Sequence, residues 1–198
     1  FSRLLACGAA VLVPARKIPT FRGRPLVGGL FAAPKIKDGK RSQRLIVDRR
    51  PQNSVERRLR WLELPSAAQL QRIVLDESEV LLGSGEDLEF YYYVLDHEAA
   101  WVVRNAVGPA VRAQDYLRFG GKRGQQYHLA LRVWGMGDHK ACDFAQSVHE
   151  GLLSRAGAIP PSGLLRGGRP LPHGPLLAGV YLDDLLYVEK VPRKDASK

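Results

Sequence analysis

The sequence has few cysteines and no long apolar run. Its two cysteines, Cys7 and Cys142, are too few for a disulfide framework or a metal cluster, so a reducing compartment is expected. The five histidines show no spacing typical of a zinc site. No apolar run approaches the roughly 20 residues of a membrane span, and Leu4–Val13 is a poor signal peptide. We expect an intracellular protein, in cytoplasm or nucleus, with no membrane partner, and a chain that is part of a longer one.

Acidic residues are fewer than basic ones. The chain has 20 Asp and Glu against 30 Lys and Arg, a formal net charge of +10, and a basic surface attracts polyanions in a salt-dependent way. The excess lies mainly in Arg16–Arg60, whereas Asp76–Asp87 carries several acidic residues and no Lys or Arg. The first stretch is the natural phosphate-binding region, and the alternative is a solvated basic face without a partner.

The hydrophobic pattern indicates helices and strands without regular alternation. The 198 residues, 45% apolar and 25% charged, are ordinary for one globular unit, and the mixed order predicts an α+β fold. Residues 14–43 are predicted to be mainly loop, with a basic hairpin turn at 37–40. For residues 88–95 a strand end and a helix start are both open. The predicted elements are the strands 44–48 and 127–133, the helices 66–75 and 141–153, the loop 157–175 and the hairpin 179–190.

The tetrapeptide Tyr-Leu-Asp-Asp at residues 181–184 separates two apolar runs, 176–182 and 185–188, and places Asp183 beside Asp184. This pattern predicts a hairpin with two carboxylates at its tip, although hairpin tips usually recruit Asn-Gly or Asp-Gly. Like charges a few ångströms apart repel, and a divalent cation, which prefers oxygen ligands, would cancel that repulsion. The alternative is a solvated acidic turn.

Three further segments carry residues with chemical potential. In the acidic segment 86–92, Asp87 ends a predicted strand and Tyr92 follows five residues later. In the segment 134–146, Gly137 precedes the predicted helix 141–153 and Gln146 follows nine residues later. The basic segment 35–53 reads Lys-x-Lys-Asp-Gly, followed by a strand that begins at Arg44 and ends in Asp-Arg-Arg.

Together, and in this order, these four segments resemble the fingers segment and motifs A, B and C of reverse transcriptases of retroelement type. The resemblance covers about residues 35–190. Around motif B the chain departs from the family, which usually has Gln before the glycine and Ser-Pro before the helix. Here these positions hold Met136 and Ala141-Cys142, and the departure affects the expected fine positioning of substrate.

The resemblance implies a role for each matching residue. Asp87 and Asp183 would bind two Mg²⁺ ions directly, with Mn²⁺ as an alternative, and Asp184 would be a weaker or indirect ligand. Two such ions stabilise the entering and leaving oxygens in nucleotidyl transfer. Arg44 would stack on the incoming base and contact its phosphate, and Lys37, or Lys35, would hold the triphosphate. The family also places three residues at the nucleotide, with Tyr92 against its sugar: Tyr92, Gly137 and Gln146. Three others are expected to brace the fingers: Asp48, Arg50 and Asn53.

The implied fold is α+β, a right-hand polymerase with fingers and palm, an antiparallel palm sheet packed on helices, and no thumb. Residues 1–198 would form one such unit, with fingers mainly at about 20–75, palm mainly at about 76–198, and an inserted fingers segment at about 97–130. The implied activity is RNA-directed DNA synthesis. The implied partners are an RNA or DNA template with its primer and deoxynucleoside triphosphates. A thumb, and an RNase H or endonuclease domain, are expected in a longer parent.

Two other readings stay open at this point. A catalytically degenerate polymerase-like domain would only bind nucleic acid, through the basic segment. A small basic RNA-binding domain unrelated to polymerases would leave the Asp183-Asp184 tip unexplained. The three tryptophans, Trp61, Trp101 and Trp134, are expected in the core more often than as base-stacking platforms.

Overall fold

The computed structural model describes residues 1–37, 39–160 and 162–196. The chain forms two compact units, each built from two stretches: Phe1–Leu59 with Tyr92–Ala141, and Arg60–Tyr91 with Cys142–Lys198. Small antiparallel sheets and a few helices make up the structure, which confirms the predicted mixture of α and β. In the described ranges, no helix is both long and apolar enough to cross a membrane. The division into polymerase fingers and palm stays a prediction.

The strands and helices of both units are numbered in chain order. The strands are β1 (Ala10–Pro14), β2 (Thr20–Phe21), β3 (Arg24–Pro25), β4 (Gly29–Lys37), β5 (Lys40–Asp48), β6 (Glu79–Asp87), β7 (Ala106–Arg112), β8 (Gln126–Leu131), β9 (Leu176–Tyr181) and β10 (Asp184–Pro192). The helices are α1 (Ser2–Ala6), α2 (Arg50–Asn53), α3 (Ala67–Leu70), α4 (Tyr91–Val94), α5 (Ala99–Val102) and α6 (Ala141–Arg155). Short 3₁₀ helices cover Ala15–Lys17, Val103–Asn105, Ala113–Phe119 and Arg193–Asp195.

The first unit has its core around an antiparallel sheet with the strand order β1-β8-β7. The central strand β8 confirms the strand predicted at 127–133. Its neighbouring residues Leu129 and Ala130 point to opposite faces, and both are fully buried. Leu129 packs in a cluster with Val47 and Val107, and Ala130 packs in a second cluster on the other face.

The basic hairpin of the first unit is longer than the sequence indicated. Strands β4 and β5 pair in continuous register from Gly29↔Asp48 to Lys37↔Lys40, so the prediction of loop for residues 14–43 is wrong from Gly29 onward. The base of this ribbon is anchored because Val47 is buried in the core, whereas Ile36 near its far end is exposed. The Lys37 side chain and Asp38 lie outside the described residues.

The second unit is built on an antiparallel sheet with the strand order β6-β10-β9. The pair β9–β10 confirms the predicted hairpin at 179–190. Successive residues of β10 point to opposite faces of the sheet. Leu185 lies with Val180 in one cluster, and Val188 lies with Leu177 in the cluster on the other face. Both faces are therefore covered at β9 and β10, whereas β6 is largely exposed, and the two-residue hairpin loop projects from one end.

The helices of the second unit differ from their predictions in instructive ways. Ser66 caps α3 as predicted, through a capping box with Gln69. This helix covers only Ala67–Leu70, not the predicted 66–75. Of the residues at the predicted apolar spacing, Leu70 and Ile73 pack against the core of the unit, whereas Val74 is 78% exposed. For residues 88–95 the helix start is the correct reading, because β6 ends at Asp87 and α4 begins at Tyr91, the one residue of α4 that lies in the second unit.

Helix α6 is confirmed, but its buried face matches the predicted apolar stripe only in part, at Ala141 and Ala145, which are 3% and 0% exposed. The stripe comprised Ala141, Phe144, Ala145, Val148 and Leu152. Of these, Phe144 and Leu152 are exposed by 37% and 49%. Two polar residues, Gln146 and His149, are each only 4% exposed instead. A buried polar side chain needs hydrogen-bond partners, and these two find them in the β9–β10 hairpin.

Candidate functional site: a carboxylate hairpin tip in the second unit

The hairpin tip is a two-residue loop, Leu182-Asp183, between Tyr181 at the end of β9 and Asp184 at the start of β10. Two-residue hairpin loops favour positive φ angles, which Asn and Gly adopt easily. Here Leu182 has φ of 58°, a conformation that a bulky side chain rarely takes. Strain of this kind persists only when the surroundings fix it.

Gln146 on α6 fixes this strained loop by occupying the outer edge of β9 beyond the bridge between Leu164 and Ala178. Its Nε2 donates to the Val180 carbonyl at 2.7 Å, and its Oε1 accepts from the Leu182 N–H at 2.7 Å. These two backbone groups flank Tyr181, and one residue of a parallel neighbouring strand would meet the same pair. The side-chain amide thus continues the sheet where no strand is present. Its Nε2 also donates to Glu150 at 2.7 Å.

His149 completes the support from one helical turn further along. Its Nδ1 lies 2.7 Å from the Leu182 carbonyl, and because a carbonyl only accepts, Nδ1 carries the proton. The His149 ring also packs against Tyr91, with centroids 5.6 Å apart, and the Tyr91 hydroxyl donates to the Ala145 carbonyl. Both backbone polar groups of Leu182 are therefore held by side chains of α6.

Asp87 and Asp184 face each other across β6 and β10. The register pairs Asp184 with Asp87, and the Leu88 N–H donates to the Asp183 carbonyl at 3.0 Å. Since hydrogen-bonded and non-bonded pairs alternate along antiparallel strands, 87/184 is a non-bonded pair, the type whose Cα atoms approach to about 4.5 Å. The two side chains project from the same face of the sheet. Asp183, opposite Leu88, lies one residue from Asp87 in this register.

The three carboxylates interact electrostatically. The pKa of Asp184 is raised, first by desolvation and then by the negative charges of Asp183 and Asp87. Burial, and secondly the charge of Asp183, raises the pKa of Tyr91 to about 12. Asp87 and Asp184 are nevertheless exposed, and Asp183 is half-buried. Three like charges therefore meet at a solvent-accessible end of the sheet.

The chemistry of these donors fits a hard divalent cation. All three are carboxylates, the ligands that Mg²⁺ prefers, and two of them share one face at the closest strand spacing. As the side chains stand in the described residues, no group of three or more His, Cys, Asp or Glu is gathered closely enough to hold a metal ion. Binding would require rotation of these exposed side chains, which their accessibility permits.

Three of the predicted nucleotide-binding residues, Arg44, Tyr92 and Gly137, lie in the first unit. Arg44 lies on the ribbon, in β5 opposite Ala33, with an exposed side chain. Tyr93 donates to the Leu45 carbonyl at 3.1 Å, and its pKa is raised by burial and lowered in part by the Arg44 charge. Tyr92, in α4, is only 9% exposed, so a place against a nucleotide sugar stays a prediction for it.

Gly137 makes a close backbone contact within its own unit. It has φ of +112°, and a Cβ atom there would clash with the Val47 carbonyl. The Val47 N–H donates to the Met136 carbonyl at 3.2 Å, and Asn53 donates its amide to the Gly137 carbonyl at 2.8 Å. The close approach that requires glycine here is to strand β5, and contact with a nucleotide stays a prediction.

Two of the residues expected to brace the fingers, Asp48 and Arg50, pair with each other at the surface, and a bracing role stays a prediction. Arg50 pairs with Asp48 through several hydrogen bonds, the shortest 2.6 Å. Beside them the buried Arg49 contacts a set of partners that the sequence did not reveal. Its guanidinium pairs with Glu56 and Asp138 at 3.1 Å, and it donates to Asn105. Lys140 pairs with Glu56 at 3.1 Å, so the charges in this buried group balance.

His149 was not predicted from the sequence as a site residue, and Gln146 was predicted to have a different role. Gln146 was expected at the nucleotide, and its amide is instead engaged by the hairpin and Glu150. One signal was present in the sequence: Gln146 and His149 are three residues apart, which places both polar side chains on one face of a helix. Nothing in the sequence indicated that this face would be the buried one.

Comparison with known proteins gives no family assignment. No family model matches the chain, and no curated protein matches it.

Proposed function

We propose that this chain carries the catalytic core of a retroelement-type reverse transcriptase, which transfers nucleotides to a primer in the order set by an RNA template. The observation that carries the proposal is the pairing of Asp87 with Asp184 at the hairpin tip, with Asp183 beside them. These residues come from segments far apart in the sequence, and they gather charge at a cost in repulsion. A solvated turn does not require a second acidic segment opposite it.

In this proposal the three carboxylates would hold Mg²⁺, which would supply stabilisation of the negative charge on the entering and leaving oxygens. Gln146 and His149 hold the loop so that Asp183 and Asp184 keep a fixed position. Arg44, exposed on the basic ribbon, binds phosphate groups of the nucleotide, for which its guanidinium offers two parallel hydrogen bonds.

A second candidate is a polymerase-like domain that only binds nucleic acid. The net charge of +10 and the exposed basic ribbon favour it, because neither depends on the carboxylates. In this case the carboxylate tip would be a remnant of an earlier activity.

Primer extension with Mg²⁺ on an RNA template distinguishes the two, with Asp183→Asn as the test variant. Glu189→Gln is the matched control, because Glu189 is an exposed acid on the same strand away from the tip. We expect extension by the unmodified chain and by Glu189→Gln, and none by Asp183→Asn. The stability of Asp183→Asn should hold or rise, because the change removes repulsion and leaves packing intact.

Normal extension by Asp183→Asn would remove Asp183 from the metal ligands. Tight binding of template and primer without extension by the unmodified chain, at any Mg²⁺ or Mn²⁺ concentration, would favour the second candidate.

A further inference from the structure

Trp61 and Phe144 form an aromatic pair on the surface of the second unit. Their rings meet edge to face, with centroids 5.7 Å apart and planes at 79°. Trp61 is 53% exposed and Phe144 is 37% exposed. An indole is among the side chains with most to gain from burial, so this degree of exposure needs an explanation.

The backbone that carries Trp61 is held from both sides. The Trp61 N–H donates to the carboxylate of Asp143 at 3.1 Å, and Asp143 is 3% exposed in the first turn of α6. Two residues beyond Trp61, the Glu63 carbonyl accepts from the Gly167 N–H at 3.0 Å. The Glu63 carboxylate also pairs with Arg169 at 2.6 Å. Trp61 therefore stands on a fixed segment that keeps its ring at the surface.

The other tryptophans are engaged differently. The cations of Arg104 and Lys140 each lie 4.8 Å from the centre of the Trp101 ring. Trp134 is 8% exposed and stacks on His97, with centroids 4.0 Å apart. The prediction that tryptophans belong to the core therefore holds for Trp134 and does not describe Trp61.

The surroundings of Trp61 indicate what its ring could bind. Arg60 directly precedes it in the chain and is exposed. An exposed, fixed aromatic ring with a cation at the adjacent chain position suits single-stranded nucleic acid, because the ring stacks on a base while the cation attracts the backbone. A protein partner of ordinary composition would not require this charge.

We propose that Trp61, oriented by Phe144 and assisted by Arg60, is a stacking platform for an unpaired base of single-stranded nucleic acid. The platform reads no sequence, since every base offers a flat face. It does not depend on the carboxylate tip or on nucleotidyl transfer, and it would serve a catalytic core and a binding domain equally.

The test separates stacking from general attraction to the basic chain. Binding of two labelled strands of about 12 nucleotides is measured by fluorescence anisotropy without Mg²⁺. One strand is oligo(dT), and the other has the same phosphates but abasic sugars. We expect the unmodified chain to bind oligo(dT) about tenfold more tightly, and Trp61→Ala to lose most of that preference while keeping its affinity for the abasic strand.

Three variants serve as controls. Trp61→Phe keeps an aromatic ring and should keep most of the preference for oligo(dT). This result would also exclude a folding defect as the cause of the loss of preference in Trp61→Ala. Trp101→Ala removes another exposed indole and should leave the preference unchanged. Asp183→Asn should bind both strands like the unmodified chain, so failure of the proposed catalysis and failure of this platform are distinguishable.

The proposal is overturned if Trp61→Ala weakens both strands equally, or if Trp101→Ala has the same effect on the preference as Trp61→Ala. It is also overturned if Trp61→Ala leaves the preference intact but abolishes self-association in sedimentation velocity. That last result would assign the aromatic pair to contact with a second copy of the chain.

Discussion

Replacement of Gln146 by Leu tests whether helix α6 holds the hairpin tip. Leucine has a similar size and keeps the helix intact, but it can neither donate to the Val180 carbonyl nor accept from the Leu182 N–H. Val180 is fully buried, and the free side of β9 at this point faces Gln146. Both backbone groups would then lose the partners that the structure gives them.

The size of the effect follows from these two orphaned groups. Leaving a buried backbone donor or acceptor unpaired costs about 1–3 kcal/mol. The Val180 carbonyl is fully buried and takes the upper part of that range, the half-buried Leu182 amide takes the lower part, and the pair costs about 4 kcal/mol. Burial of the apolar leucine side chain returns about 1.5 kcal/mol. The expected loss in free energy of unfolding is therefore about 2.5 kcal/mol, which is large for a fold whose total stability is about 5–15 kcal/mol.

Two measurements check this prediction. Urea unfolding should show a midpoint lower by about 1 M, since the free energy falls by about 1–3 kcal/mol per molar urea. Hydrogen exchange should show faster exchange of the Leu182 amide in particular. Gln146→Glu keeps an acceptor for that amide and loses the donor to Val180, so it should retain more Leu182 protection than Gln146→Leu.

Ser147→Ala is the matched control, because Ser147 is the exposed neighbour on the same helix. Its stability should stay within about 0.5 kcal/mol of the unmodified chain. A Gln146→Leu chain that keeps both its urea midpoint and its Leu182 protection would refute the reasoning. It would mean that the loop conformation is set by the hairpin itself.

Three other predictions concern the first unit. Arg44→Ala should weaken use of the nucleotide far more than binding of template and primer; a loss of duplex affinity with unchanged nucleotide dependence would place Arg44 in the general basic face. Tyr92→Val should raise ribonucleotide over deoxyribonucleotide incorporation about tenfold, or 1.4 kcal/mol of discrimination; equal loss of both substrates would make Tyr92 a core residue. Burial lowers the pKa of His97 to about 4, although the charge of Asp138 opposes part of this shift. Between about pH 4 and 6.5 the unfolded chain therefore binds more protons at His97 than the folded chain does. Stability should rise with pH across that window by up to about 3 kcal/mol, and a His97→Phe chain with the same rise would contradict this assignment.

Much of the local structure follows from the sequence because it depends on local chemistry. The hairpin around 181–184 is bounded by apolar strands, and Ser66 caps its helix through a partner three residues away. The ribbon from Gly29 was underestimated for the opposite reason. Its composition of Pro, Gly and basic residues is typical of loops, and its strands are maintained by cross-strand pairing and by Val47 in the core. That anchoring depends on tertiary contacts that a local pattern does not contain.

The site shows the same limit at the level of single residues. The sequence singled out Asp87, Asp183 and Asp184, and the pairing of β6 with β10 brings their segments together. It gave no sign that α6 would bury Gln146 and His149 and expose Phe144 and Leu152. A hydrophobic stripe predicts a buried face only when apolar contacts decide the orientation of a helix. Here the backbone N–H and carbonyl of Leu182, in a strained loop, require polar partners from the helix. This requirement arises from the conformation of Leu182 and is not visible in the sequence pattern of α6 itself.

The hairpin tip combines two costs that an ordinary turn would avoid. A left-handed leucine costs about 1–2 kcal/mol relative to glycine, and desolvation, followed by the charges of Asp183 and Asp87, raises the pKa of Asp184. An Asn-Gly loop would remove the strain and the charge of Asp183 and keep the hairpin. The fold instead supplies Gln146 and His149 to hold the costly arrangement. Stability therefore does not account for Leu-Asp-Asp at this tip, whereas a cation shared by the carboxylates would turn their repulsion into attraction.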